Sequence, residues 1–251
     1  MKTLLRIIVI INEVIIINEV IKNEVIIKNE VIKNEVRKKS IIMNKLFVLD
    51  FETTGLNIFH HEVIEVGIKM IGANDHYTSL VKPMGNESII PQRITQITGI
   101  TTDMVRDDGH NPQQVTENIF NYICDHRDDP DEIVYIIAHN GYSFDFVFLK
   151  RMVKDYNDEV DDSMKISLDN IKFIDSMYLA KLLLVNERVN QPGLCQRYNI
   201  ENSQEHRAMG DVLSLEQLYI ELCQQYSFQN GHNYNHYLEN PECILEECYY
   251  Y

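Results

Sequence analysis

The sequence is short of positive charge. It contains 23 lysine and arginine residues against 38 aspartate and glutamate residues, which gives a formal net charge of −15. This balance argues against a simple nucleic-acid-binding protein, because such proteins usually neutralise phosphates with lysine and arginine. It does not exclude an enzyme whose clustered carboxylates bind divalent cations, since the bound ions then present positive charge to a phosphate.

Cysteine is also scarce, and its spacing excludes a disulfide framework. An odd number of cysteines without dense spacing is typical of a protein in a reducing, intracellular compartment, either cytoplasmic or nuclear. The five cysteines are Cys124, Cys195, Cys223, Cys243 and Cys248. The first three lie in apolar helical stretches, and we expect them to be core residues.

Long hydrophobic runs are missing, although residues 1–42 are rich in valine and isoleucine. An Asn-Glu-Val triplet recurs there with an 11-residue period and keeps every apolar run far shorter than the ~20 residues that span a bilayer. Successive apolar clusters are half a period, about 5.5 residues, apart and would lie roughly 190° from one another around a helix. They therefore fall on opposite faces and form no single apolar seam. No small-residue cleavage site follows the first run, which argues against export. We therefore predict a low-complexity segment outside the catalytic fold and no membrane partner.

The remainder of the chain shows an α/β pattern, in which short β-rich runs alternate with segments of helical periodicity. The three closely spaced first runs predict an antiparallel meander, and the longest helical pattern extends from about Ala208 to Tyr226. We predict a catalytic domain over residues 43–226, built as one mixed sheet flanked by helices, and a C-terminal tail over residues 227–251. The β-rich runs are LFVLDFE, EVIEVGIKMI, HYTSLVKP, EIVYIIA and IKFIDS.

Two carboxylates stand together at the end of the first predicted strand. Asp50 and Glu52 are two residues apart, so both point to the same face, next to the turn-forming residues Thr53, Thr54 and Gly55. Two like charges this close resist joint ionisation unless a cation bridges them. A solvated strand end is the alternative, but the apolar run before the pair places it at the edge of a buried sheet. The pair is therefore a candidate functional site.

A second motif places an acid after the fourth β-rich run. The strand ends in His139 and Asn140, turns at Gly141 and enters a helix whose first turn carries Asp145, with Ser143 as the expected N-cap. Taken alone, an acid in a first helical turn is explained by its favourable interaction with the helix dipole. The strand-turn-helix context, however, aims Asp145 at the end of the sheet.

A third motif combines an imidazole with an acid. His206 precedes Asp211 by five residues, which on a continuous helix places the two side chains about 140° apart. They converge only if His206 lies in the preceding loop or first turn and Asp211 lies inside the helix. A single histidine near a helix start is otherwise most often a surface or capping residue.

Taken together, the three motifs resemble the DEDDh exonucleases, a family that includes proofreading subunits of replicative polymerases and three-prime repair exonucleases. The order D-x-E, HN-x4-D and H-x4-D is far more specific than any single motif, and the resemblance extends from about Leu46 to Tyr226. Further matching pieces follow in order: IEVG at residues 64–67, ITGIT at 97–101, the pair Asp175 and Ser176 followed by LAK, and LCQRYNI before the histidine.

The resemblance implies an RNase H-like fold with a five-stranded sheet, in which an antiparallel meander adjoins parallel strands. It also implies two Mg²⁺ or Mn²⁺ ions held by Asp50, Glu52, Asp145 and Asp211, with His206 as general base. Hard oxygen ligands and an imidazole that titrates near neutral pH suit these roles. The implied reaction is hydrolysis at the 3′ end of DNA or RNA, which releases nucleoside 5′-monophosphates.

The resemblance further implies substrate contacts from the backbone at Thr53 and Thr54 and from the side chain of Leu56. From the residues alone, Leu56 is equally well read as a turn hydrophobe packed into the core. Asn140 either contacts the substrate or holds its own turn through its side-chain amide. The implied ligands are single-stranded or frayed 3′ ends, and the chain is too short to contain a polymerase, so a proofreading role needs a separate partner.

The C-terminal tail offers a weaker candidate site. His232, His236, Cys243 and Cys248 have an H-x3-H-x6-C-x4-C spacing, which permits zinc binding but does not match a common structural zinc site. We favour a tail packed by its tyrosines.

A protein of another class remains as an alternative to the enzyme. A catalytically silent nucleic-acid-binding or polymerase-associated module would be expected to lack one of the ligands, whereas all four acids and the histidine are present. No motif indicates whether the strand is DNA or RNA, because that choice depends on contacts with the 2′ position.

Overall fold

A computed structural model describes residues 44–84, 89–202 and 206–248, and all structural statements below concern these ranges. The predictions about residues 1–42 lie outside them. The described chain is organised around one five-stranded sheet with the strand order β3-β2-β1-β4-β5. The strands are β1 (Lys45–Thr53), β2 (Val63–Met70), β3 (Tyr77–Leu80), β4 (Val134–Ala138) and β5 (Ile171–Asp175).

The sheet is mixed, as predicted. Strands β1, β2 and β3 form an antiparallel meander, while β4 runs parallel to both β1 and β5. Pairing between β1 and β4 stops at Val48 and Ile137, so the last five residues of β1 extend beyond β4. This projecting strand end carries the D-x-E pair.

Helices cover both faces of the sheet. They are α1 (Gln92–Thr98), α2 (Thr102–Asp107), α3 (Pro112–Asp125), α4 (Asp145–Glu159), α5 (Ser176–Leu183), α6 (Gln191–Tyr198), α7 (Ala208–Gln229), α8 (His236–Glu239) and α9 (Pro241–Cys248).

Side chains alternate along β1, so that Phe47 and Leu49 face α3 and α4, whereas Leu46 and Val48 face α5, α6 and α7. Asp50 and Glu52 continue the alternation of Leu46 and Val48 and therefore lie on the α7 side of the sheet.

The C-terminal tail packs against the sheet and α7. Tyr237 and Ile244 are buried in the same core as α7, and the ring of Tyr237 lies 4.9 Å from that of Tyr226. The hydroxyl of Tyr135 on β4 donates a hydrogen bond of 2.6 Å to Glu242 on α9. Tyrosines therefore take part in the contacts that hold the tail on the domain.

Two local predictions are wrong. Ser143 is not the N-cap of α4, because a 3₁₀ turn over Gly141–Ser143 ends there and Phe144 occupies the cap position without a side-chain capping bond. Cys195 and Cys223 are buried as expected, but Cys124 is exposed because it lies on the outer side of α3. Within the described ranges, no helix is both long and apolar enough to cross a membrane.

Candidate active site

The projecting end of β1 presents Asp50 and Glu52 on one face of the sheet. Strand β2 continues beside it on the other edge, with Glu65 directly opposite Glu52. The register of the two strands shifts between Glu52 and Thr53, as expected for a bulge at the rim of a sheet. The bulge ends the regular pairing one residue after the second carboxylate.

Asp145, the first residue of α4, contacts the same end of β1. Its side chain is buried, and its Oδ1 accepts a hydrogen bond of 3.1 Å from the backbone N–H of Phe51. Because β4 no longer pairs with β1 at this point, the carboxylate satisfies an N–H that would otherwise lack a strand partner. The first residue of α4 is thereby attached to β1 between Asp50 and Glu52.

The start of α7 supplies the remaining acid. Asp211 lies in the first turn of the helix, and His206 lies in the loop before it with a left-handed φ of 63°. The backbone N–H of His206 donates a hydrogen bond of 3.0 Å to Asp211 Oδ2, while Asn202 Nδ2 donates one of 2.7 Å to Oδ1. The predicted arrangement, with the histidine in the loop and the acid inside the helix, is the one observed.

Three of these carboxylates meet at one point. Oxygen atoms of Asp50, Glu52 and Asp211 lie within 4.8 Å of one another, and no other group of three or more potential metal ligands occurs among the described residues. Three hard oxygen donors at this spacing fit a divalent cation such as Mg²⁺ or Mn²⁺. The cluster is therefore a candidate metal centre, and Asp145 borders it through its bond to β1.

The carboxylates of the cluster disfavour one another's ionised forms, as their raised pKa values show. Burial raises the pKa of Glu52 from its ordinary 4.5 to about 8, with further contributions from the negative charges of Asp211, Glu65 and Asp145. Burial likewise raises the pKa of Asp145 to about 7. The pKa of Asp50 lies well above its usual range, first because the half-buried carboxylate loses hydration and second because of the negative charge of Asp145. A bound cation would relieve this mutual repulsion and favour the ionised carboxylates.

Two residues that the sequence interpretation left without a role support the start of α7. Glu65 is buried and accepts hydrogen bonds from the guanidinium of Arg207, at 2.5 Å from Nη2 and 3.1 Å from Nε. Its Oε2 also accepts a hydrogen bond of 2.9 Å from the N–H of Ala208. The IEVG motif contained Glu65, but its partner lies 142 residues away and no local pattern indicates it.

Asp175 is a further supporting residue, at the C-terminal end of β5. It is buried, and its two oxygens accept hydrogen bonds from the backbone N–H groups of Asn140, Tyr142 and Met177. The turn that leads to Asp145 is therefore held by Asp175. Asn140 makes no side-chain capping bond there, so the alternative in which its amide holds the turn is wrong.

Comparison with known proteins identifies the family. The model of the RNase T family, which is described as an exonuclease family, matches residues 47–219. The chain belongs to this family. The match begins on β1 and ends on α7, so this exonuclease domain contains every residue of the carboxylate cluster.

Relatives of the exonuclease domain include DNA polymerase III proteins and an exonuclease. The PolC-type DNA polymerase III of Thermotoga maritima is 30% identical over 177 residues, which is 69% of this chain and 11% of the polymerase. Exonuclease DPD1, chloroplastic/mitochondrial, of Arabidopsis thaliana is 27% identical over 70% of this chain and 55% of its own length. DNA polymerase III subunit epsilon of Rickettsia conorii is 28% identical, over 70% and 72% respectively. The chain thus spans about a tenth of the PolC-type relative and about half of DPD1.

Solved structures confirm the RNase H-like fold. E. coli Exonuclease I in complex with a dA16 oligonucleotide superposes with a TM-score of 0.57 at 18% identity, over 72% of this chain and 41% of that one. Exonuclease I from Methylocaldum szegediense gives a TM-score of 0.56 at 16% identity, over 72% and 40%. At such low identity the likeness concerns the fold.

The loop after β1 is built by two threonines of the exonuclease domain. Thr53 Oγ1 donates a hydrogen bond of 2.7 Å to the carbonyl of Gly55, and Thr54 Oγ1 accepts one of 3.0 Å from the N–H of Glu62. Leu56 projects from this loop with 83% of its surface exposed, so its alternative placement in the core is wrong. A contact between Leu56 and a nucleotide stays a prediction.

The described part of the tail shows no zinc site. The rings of His232 and His236 stack at 3.9 Å, but no group of three tail ligands lies within coordinating distance. Cys243 and Cys248 instead lie on α9, where they pack against the core that includes α7. In the described structure these two cysteines thus pack against the domain core.

Proposed function

We propose that the chain is a 3′-to-5′ exonuclease that hydrolyses the terminal phosphodiester bond of a DNA or RNA strand and releases nucleoside 5′-monophosphates. One observation carries this proposal. Oxygen atoms of Asp50 and Glu52 on β1 and of Asp211 on α7 lie within 4.8 Å of one another. The strand and the helix residues are more than 150 positions apart in the sequence. Such a concentration of half-buried negative charge is unfavourable for folding unless a cation is to be bound.

The proposed cofactor is a pair of divalent cations, Mg²⁺ or Mn²⁺. Asp50, Glu52 and Asp211 would hold them, together with Asp145, whose second oxygen is not used by the bond to Phe51. When bound, the cations supply the positive charge that activates the attacking water and stabilises the leaving 3′ oxygen.

His206 is the proposed general base. It lies in the exposed loop directly before α7, and its backbone N–H is bonded to Asp211, so it adjoins the cluster while its side chain is open to solvent. A neutral imidazole can accept a proton from the attacking water, and an exposed one can pass it to solvent.

The proposed substrate is a single-stranded or frayed 3′ end. The solved E. coli Exonuclease I complex contains a dA16 oligonucleotide, and the fold shared with this chain supports a similar ligand. The relatives include a PolC-type DNA polymerase III and a DNA polymerase III subunit epsilon, which supports a separate polymerase as a partner. Exposed Leu56, four residues after Glu52 in the sequence, is the proposed apolar contact with the terminal base.

A strand labelled at its 5′ end tests both the activity and its polarity. Incubation with Mg²⁺ should convert the strand into a ladder of shorter labelled products, whereas digestion from the 5′ end would release the label as a mononucleotide at once. Asp211→Asn should abolish the ladder. Asp169→Asn changes an exposed residue just before β5, at the end of the sheet away from the cluster, and should leave the ladder unchanged.

The same assay decides between the enzyme and the silent module. Chelation of the metal should stop digestion, and a strand with a blocked 3′ end should resist it. If the purified chain binds the strand but produces no ladder with Mg²⁺ or Mn²⁺, the binding module replaces the enzyme. Matched DNA and RNA strands, digested side by side, identify the preferred sugar.

A further inference from the structure

A buried glutamate fixes the point at which α7 begins. Glu65, only 4% exposed, binds Arg207 through both carboxylate oxygens and also accepts the N–H of Ala208, the first residue of the helix. Three donors from two consecutive residues therefore converge on one side chain of β2. The planar guanidinium fork matches a carboxylate in a way that a point charge does not.

A close backbone approach reinforces this contact. Gly67 lies on the same face of β2 as Glu65, and a Cβ built there would lie 2.8 Å from the backbone carbonyl carbon of Ala208. Only glycine permits this distance. Strand β2 thus contacts the start of α7 at two places: Glu65 binds Arg207 and the N–H of Ala208, and Gly67 lies directly against the backbone of Ala208.

His206 lies immediately before this anchored pair. Its φ of 63° is a conformation that residues with a side chain rarely adopt, so the surrounding contacts must enforce it. On one side Arg207 is bound to Glu65, and the N–H of His206 itself is bound to Asp211 Oδ2. The backbone of the histidine is held between two carboxylates from different elements of the fold.

We propose that Glu65 and Arg207 are positioning residues that hold His206 beside the carboxylate cluster. This inference rests on the proposed function, in which His206 acts as the base. The pair does not need to touch the substrate, because the location of the histidine follows from where α7 starts and from the left-handed turn before it. A shift of about 1 Å in a catalytic group can lower the rate on the order of 10²-fold.

The pair could instead serve stability alone or adjust the charge of the cluster. A purely structural role would lower the unfolding temperature and affect active and inactive backgrounds alike. A role through the cluster would weaken binding of Mg²⁺ and be overcome at high concentrations of the ion. Only positioning of His206 predicts a loss that persists at saturating Mg²⁺ and disappears once the imidazole is removed.

The test is a double-mutant cycle on the full chain. Arg207→Lys keeps the charge but removes the fork, and it is made alone and together with His206→Ala. Glu65→Gln serves as the second variant if Arg207→Lys does not fold. Arg197→Lys, which alters an exposed ion pair with Glu187, is the matched control. For each variant kcat and KM are measured at saturating Mg²⁺, alongside the thermal unfolding midpoint.

We expect Arg207→Lys to lower kcat by roughly 10-fold to 100-fold with little change in KM, and to cause no further loss in the His206→Ala background. Arg197→Lys should match the parent. Equal losses in both backgrounds, or recovery of Arg207→Lys at higher Mg²⁺, would overturn the inference. If the parent shows no nuclease activity, the proposed function fails first, and the two failures are thereby distinguished.

Discussion

Asp145 Oδ1 accepts a hydrogen bond of 3.1 Å from the backbone N–H of Phe51, the residue between Asp50 and Glu52. The two partners are 94 positions apart in the sequence, and both are buried. This bond attaches the first turn of α4 to the projecting end of β1. The bond uses only one oxygen of Asp145. The carboxylate therefore has two roles: it supports the strand, and it adds negative charge next to the cluster.

Asp145→Asn should separate these two tasks. The amide oxygen can still accept the N–H of Phe51, but the negative charge is lost, and with it the strongest charge effect that raises the pKa of Asp50. We expect activity to fall on the order of 10²-fold or more, as when a preorganised electrostatic group is removed. The metal-free variant should unfold at a higher temperature than the parent at pH 8. A lower unfolding temperature in EDTA would contradict this account.

The stability of the metal-free protein should depend on pH in a defined direction. The folded state raises the pKa of Glu52 from 4.5 to about 8 and that of Asp145 from 3.8 to about 7. The folded state therefore binds these protons more tightly than the unfolded state, so their contribution to stability is present below about pH 4 and lost as the pH rises through 7 and 8. Thermal unfolding in EDTA should shift down by about 2 to 4 °C for each kcal/mol lost.

Addition of Mg²⁺ should remove most of that pH dependence, because the cation offsets the charge of the ionised carboxylates. Unfolding curves are recorded from about pH 5 to pH 8.5 with EDTA or with excess Mg²⁺. An equal decline in both series would show that the cluster does not bind the ion. Asp211→Asn should show a weaker response to Mg²⁺ than the parent.

His206→Ala should affect the chemical step and spare binding. We expect kcat to fall by about 10² to 10⁴, the usual contribution of general-base catalysis, while strand affinity stays near that of the parent. His232→Ala, an exposed histidine of the tail, is the matched control. Single-turnover kinetics and strand binding in Ca²⁺ measure the two effects separately. Unchanged turnover would reject the role of His206.

Gly67→Ala should destabilise the domain through a steric conflict. The added Cβ would lie 2.8 Å from the carbonyl carbon of Ala208, so either β2 or the start of α7 must move. We expect a loss of about 1 to 3 kcal/mol in the free energy of unfolding, measured by denaturant titration. Gly193→Ala faces only the movable side chain of Asn190 and should cost less. Equal losses would refute the close approach.

Leu56→Ala should weaken substrate binding and leave folding unchanged. The side chain is 83% exposed, so its removal should alter the free energy of unfolding by less than about 0.5 kcal/mol. Burial of a leucine side chain against a base is worth about 1.5 kcal/mol or more, so its loss corresponds to a KM increase of roughly 10-fold. Phe228→Ala, 80% exposed at the far end of α7, provides the comparison. If both variants raise KM equally, Leu56 has no specific contact with the strand.

Local geometry made part of the site predictable from the sequence. The two-residue spacing of Asp50 and Glu52 places them on one face of any strand, because side chains alternate with a period of two. The helical periodicity after Ala208 places Asp211 in a first turn, and His206 before it. These relationships involve a few neighbouring residues, so backbone geometry alone sets them.

Contacts between distant segments were decided by the tertiary structure. No sequence pattern near Asp145 indicates that it accepts the N–H of Phe51. In the same way, no pattern near Glu65 indicates that it binds Arg207. Glu52, directly opposite Glu65 in the sheet, instead belongs to the acidic cluster. Ser143 likewise satisfies the pattern of an N-cap but lies in a 3₁₀ turn, where Asp175 holds the backbone. The order of the strands and the packing of α7 determine which carboxylate meets which donor, because these contacts join residues that the chain itself holds far apart.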